Sequence, residues 1–206
     1  MPKPQPSKPA PQPEQPVPKP QPSKPANPSQ PVPAPQPPKP AHPSGSCPAD
    51  LNGNYQYPHL IVPVDQSSPN TAAGTSYNGK VDSHTCTIFN FDIPQSYAGK
   101  TCTVVFLFPE QKDLETSSYT VSGSGHCSFS KLSGNANQQT SWANQPGKES
   151  ELASFDVAPG NGYVVASGEC AAGKTVSYEM CSGGDFALEY FQDYNPSPIG
   201  LYVREC

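Results

Sequence analysis

The chemistry this sequence is best supplied for is disulfide formation. Its seven cysteines, Cys47, Cys86, Cys102, Cys127, Cys170, Cys181 and Cys206, all follow Ser46. No two are spaced Cys-x-x-Cys, which removes support for a zinc ribbon or a dithiol redox motif. So many cysteines in 160 residues fit an oxidising compartment, where the pairs persist as disulfides. Three bridges and one leftover thiol can be drawn in about 100 ways. Domain ends often lie close together, which points to Cys47–Cys206, with Cys102–Cys206 as the alternative.

The other reactive side chains form no catalytic signature. Of His42, His59, His84 and His126, the last adjoins Cys127. Neighbours on a strand point to opposite faces, so this pair alone makes neither a metal site nor a thiolate–imidazole couple. Ser122-Gly123-Ser124-Gly125 lacks the spacing of a nucleophile elbow and reads as a hairpin connection. Carboxylates are plentiful, but none sits in a pattern that pairs it across a cleft for glycoside hydrolysis. Asp50-Leu51-Asn52-Gly53-Asn54 has its glycine too early for a calcium loop and no glutamate at the twelfth position. No catalytic, cofactor or metal residue is therefore assigned. The aromatic residues are a better lead: Trp142, Tyr190 and Tyr194, with Tyr55, Tyr57 and Phe191, are candidates for a face that stacks on sugar rings. Tyr190 and Phe191 alternate, so only one of them faces out.

These residues need elements to hold them, and the composition divides the chain sharply. Residues 1–46 hold 19 of the 29 prolines and almost nothing large and apolar. Such a segment cannot bury enough surface to offset the entropy of ordering, and proline blocks both helix and ladder. A disordered, proline-rich spacer is expected, with KPQPSKPA occurring at 3–10 and again at 19–26. Lys3-x-x-Pro6-x-x-Pro9 also matches the form read by aromatic-lined grooves. Five Lys against one Glu leave this segment at +4, whereas seven basic and sixteen acidic residues leave 47–206 at −9. That acidity excludes a basic nucleic-acid face. No apolar run approaches the ~20 residues of a membrane span, and Met1 leads into proline without an apolar leader.

From Cys47 onward, short β-type runs alternate with Gly, Pro, Asn and Ser. Ten strands are expected, at 60–64, 85–93, 101–108, 118–122, 127–132, 152–157, 163–167, 175–180, 186–191 and 199–203. Phe89, Phe91 and Ile93 fall on one face of the second run and Asn90 and Asp92 on the other, as in a half-buried strand. The run at 103–108 is apolar on both faces, so it belongs in the centre of a sheet, and Pro109 ends it. Residues 149–153 offer at most one helical turn. The whole predicts an all-β fold, an antiparallel, jelly-roll-like β-sandwich of about ten strands. A domain of this size buries about 70% of its unfolded surface, enough for one core.

Several strings occur together in a familiar order: Cys47-Pro48-Ala49, Tyr57-Pro58-His59-Leu60-Ile61-Val62-Pro63-Val64, Ile88-Phe89-Asn90-Phe91-Asp92-Ile93-Pro94, Gly99-Lys100-Thr101-Cys102 and Phe191-Gln192-Asp193-Tyr194-Asn195-Pro196-Ser197-Pro198. Across residues 47–206 the sequence resembles the fungal ubiquitin 3 binding protein But2 C-terminal domain family. The resemblance implies a β-rich domain, common in secreted or wall-associated proteins behind low-complexity segments, and it supplies no catalytic residues. The expected function is a non-enzymatic, extracellular or cell-wall β-sandwich with a structural or ligand-binding role. One alternative is a carbohydrate-binding module for wall polysaccharide. Another, implied by the family name, is an intracellular protein partner of the enzyme that activates a ubiquitin-like modifier.

Overall fold

The computed structural model describes residues 47–206, and the expectations for residues 1–46 lie outside them. The apolar and alternating runs form twelve strands: β1 (Tyr55–Gln56), β2 (Leu60–Asp65), β3 (Asn78–Val81), β4 (Thr85–Asp92), β5 (Thr101–Phe108), β6 (Tyr119–Ser122), β7 (His126–Leu132), β8 (Lys148–Asp156), β9 (Asn161–Glu169), β10 (Thr175–Gly183), β11 (Ala187–Phe191) and β12 (Gly200–Glu205). They build three antiparallel sheets, ordered β1-β12-β5-β9, β2-β4-β10-β7-β8 and β3-β11-β6. Each of the ten expected strands is present. The two additional ones, β1 and β3, are short.

Inward-facing residues of all three sheets meet in one core. Phe89 and Phe91 come from β4, Phe106 and Phe108 from β5, Phe129 from β7, Met180 from β10 and Leu188 from β11. Burying each of these side chains contributes about 1.5–3 kcal/mol. Phe106 is central, with ring centroids 5.6 Å from Phe129 and 6.0 Å from Tyr190. As its two apolar faces require, β5 lies inside its sheet, between β12 and β9. Its other face places Val105 and Leu107 against Tyr202 under Leu51 and Tyr55.

Three expectations are corrected. β4 is buried on both faces rather than one. Its outer face is roofed by the segment 133–147, so that Ile88 and Cys86 pack with Val62, Leu132 and Ala136, and Trp142 closes the edge. Asn90 tolerates burial there because its amide donates to Ala136 O at 2.8 Å and its carbonyl accepts from Ser177 Oγ at 2.7 Å. Residues 149–153 belong to β8 rather than to a helical turn, because pairing with β7 outweighs their local preference. The Ser122–Gly125 connection joins β6 to β7, which belong to different sheets, so it is a crossover and not a hairpin.

The disulfides are Cys47–Cys206, Cys86–Cys181 and Cys102–Cys170, which leaves Cys127 free and buried. Cys86 and Cys181 lie directly opposite each other on β4 and β10. Cys102 joins β5 to the turn after β9. The pairing of the domain ends is the one that proximity suggested, and Cys206 does not meet Cys102.

Candidate aromatic cleft

Four of the five exposed large apolar side chains among the described residues line one cleft. They are Tyr77 (79% exposed), Tyr57 (60%), Tyr194 (48%) and Phe191 (41%). The cleft has a volume of about 580 Å³, within the ~300–1,000 Å³ of small-molecule sites. An exposed aromatic forgoes about 1.5–3 kcal/mol of burial, and a contiguous group of them marks a binding surface.

Each wall comes from a different part of the fold. Tyr57 leaves β1 on the way to β2, and Tyr77 enters β3. Phe191 ends β11, which pairs with β3 so that Phe191 lies opposite Asn78. This register sets the Phe191 ring 6.4 Å from that of Tyr77. Tyr194 stacks on Tyr57 at 6.1 Å and 23°, and its other neighbour is Tyr55 at 6.5 Å. Burial first, then the adjoining phenols of Tyr194 and Tyr57, push the Tyr55 hydroxyl above its ordinary value, so it stays neutral and able to donate.

The segment carrying Tyr194 is pinned from below. Tyr202 is fully buried on β12. Its hydroxyl donates to Asp193 O at 2.5 Å and lies 3.0 Å from Ile199 O. Gln192 brackets β12, accepting from Leu201 N at 3.2 Å and donating to Leu201 O at 3.0 Å. Gly200 makes this approach possible: its φ is +114°, and a Cβ there would collide with the Gln192 carboxamide. Thr116 Oγ1 adds a hydrogen bond to Asp193 Oδ2 at 2.5 Å. The polar edge of the cleft includes Thr75, Ser76, Gln138, Gln192, Asp193 and His59, with His59 Nδ1 3.0 Å from Asp92 Oδ2. Stacking rings with a few hydroxyls and amides suit a neutral, hydroxyl-rich ligand.

The candidate residues separate cleanly. Tyr194 lies in the cleft, and Phe191 is the outward member of its pair. Tyr190 is a correction: it is 1% exposed and cannot meet a ligand, because its ring packs over Gly79, where any Cβ would strike it. Trp142 is likewise a core-edge residue rather than a platform. Tyr77 went unrecognised, since a lone tyrosine in a polar stretch carries no signal until β3 and β11 pair. Asp50, in the calcium-like string, is engaged by the Arg204 guanidinium.

Two other clusters were invisible in the sequence. Cys86, Cys181 and Glu179 present ligand-type atoms within 4.8 Å of one another. The two sulfurs are bonded together, so they are not thiolates, and Glu179 faces Lys148 Nζ at 3.0 Å. On β7 and β8, Ser154 Oγ lies 2.8 Å from His126 Nε2, and His126 Nδ1 lies 3.0 Å from Asp156 Oδ1. This order of groups is that of a serine hydrolase. However, the Asp156 side chain is 92% exposed, and the three residues lie outside the aromatic cleft. With an uncovered carboxylate, the three groups form a cross-strand hydrogen-bond chain between β7 and the edge strand β8.

The model of the family described as Ubiquitin 3 binding protein But2 C-terminal domain matches residues 56–196. Two uncharacterized but2-like proteins of Schizosaccharomyces pombe are 30% and 31% identical to this chain over 159 residues, covering 72% of it. The matched region makes up 32% and 39% of those relatives, so the chain spans between about a third and two fifths of the length of the curated relatives it matches.

Proposed function

This chain belongs to the Ubiquitin 3 binding protein But2 C-terminal domain family, and from that premise we propose that it is a non-enzymatic, secreted and wall-associated β-sandwich whose aromatic cleft binds neutral polysaccharide. The observation that carries the reading is the gathering of Tyr57, Tyr77, Phe191 and Tyr194 around one cleft. Three disulfides support the extracellular part. Among the described residues no helix is long and apolar enough to cross a membrane. Retention on insoluble β-glucan and chitin is the test. The parent chain is expected to be retained, and Tyr57→Ala and Tyr194→Ala each to lose at least ten-fold in affinity. Trp142→Ala is expected to keep its binding but to lose about 2 kcal/mol of stability through the opened core edge. Equal elution with and without polysaccharide would sink the reading.

The family's name favours a second reading, a protein-binding module serving a ubiquitin-like pathway inside the cell. That role places the cysteines in a reducing compartment. Intact mass of protein from its native cells, with and without reduction, decides between the two. Six oxidised cysteines fit the extracellular role, and seven free thiols fit the intracellular one.

A further inference from the structure

A second cleft, of about 640 Å³, adjoins the first at Tyr194. Tyr194 lines both clefts, and the ring series Tyr57–Tyr194–Tyr55 runs from one into the other. The second cleft is of complementary character. Asn52, Asp113, Asn161 and Asn195 supply amide and carboxylate groups, while Leu51 and Pro196 supply an apolar wall. Each cleft alone is large enough for a small ligand, and a ligand confined to one would leave the other, with its polar lining, unused.

We propose that the two clefts are halves of one groove that holds an unbranched glycan along its length, with Tyr194 as the saddle between them. The inference rests on the glycan reading of the first cleft and specifies its ligand as internal stretches of a long chain rather than a chain end or a single sugar. Two subsites joined by one chain bind with a high effective concentration of the second half, so affinity rises steeply once the ligand is long enough to cross the saddle. The same logic makes Tyr194 the residue whose loss weakens ligands of every length, because both halves use it.

Titration with laminaribiose and laminarihexaose tests this on the full chain and on an Asn52→Ala/Asp113→Ala variant. Both substituted side chains are exposed, so the variant keeps its core. The expected result is that the hexaose binds the parent at least ten-fold more tightly than the biose. The variant is expected to lose that advantage while binding the biose as the parent does. Equal affinity of the parent for both lengths, or a hexaose advantage that survives in the variant, overturns the groove and leaves the first cleft standing as a glycan site. Failure of the parent to bind either length overturns the groove for β-glucan, and the glycan reading falls with it when the parent is also not retained on insoluble β-glucan and chitin.

Discussion

At Tyr190 the ring and the hydroxyl have opposite effects on stability. The ring is fully buried against Phe106, but the hydroxyl has no hydrogen-bond partner. An orphaned buried hydroxyl costs about 1–3 kcal/mol. Tyr190→Phe is therefore expected to raise stability by about 1 kcal/mol, read as a higher urea midpoint at unchanged slope, and to leave glycan retention untouched. A loss of stability would show that the hydroxyl is satisfied. Glu205 presents the opposite case. A hydrogen bond from Lys100 Nζ at 2.5 Å, with another from Asn54 Nδ2 at 3.1 Å, holds its carboxyl below the ordinary glutamate value. With the folded value depressed, its contribution is fully present above the unfolded value of about 4.3 and is lost as pH falls through the folded one. Glu205→Gln is expected to be less stable than the parent at pH 7 and to converge with it as the pH drops below that range. A constant gap down to pH 2 would refute the assignment. The sequence already announced that only one of Tyr190 and Phe191 faces out, since alternation requires it. Which one could not be read, because that depends on which side of β11 the other two sheets lie.

At the scale of elements, the strands with strong periodicity were legible and the weak ones were not. β5 and β10 declare themselves by alternation or by two apolar faces. β1 has two residues and β3 reads Asn-Gly-Lys-Val, so neither carries a pattern of its own, and both exist because β12 and β11 offer a partner edge. β4 looked half-buried because its outer cover is an irregular segment, and Asn90 gave no sign of the backbone it would meet 46 residues away. The cleft follows the same rule: Tyr57, Phe191 and Tyr194 stand out in the sequence and Tyr77 does not, and the loop that aims Tyr194 is held by Tyr202 and Gln192 through contacts that no spacing reveals. Tyr202→Phe is expected to cost about 1 kcal/mol of stability. It should also weaken glycan binding several-fold without touching the ligand, because residues 193–199 lose their tether. Unchanged affinity would mean that packing alone positions the loop.

For residues 47–206 as a whole, the apolar and alternating runs sufficed to predict an all-β fold, and the charge count its acidic character. The disulfide map was legible only where chain ends were concerned, because Cys86–Cys181 and Cys102–Cys170 are set by strand register and by a turn, and the sequence states neither. The Cys47–Cys206 bond also decides how the domain of residues 47–206 carries load. Residues 47 and 206 are 159 positions apart along the chain, yet their Cα atoms are 5.5 Å apart. Tension applied at one enters and leaves through a single sulfur–sulfur link, and the strands between carry none of it. Stretching the oxidised molecule between its ends yields no length from the domain. Once the fold is pulled open, reduction of that one bond releases on the order of 200 Å of chain, because Cys86–Cys181 still bypasses 95 of those positions, so the domain is a fixed link whose extensibility is chemically locked.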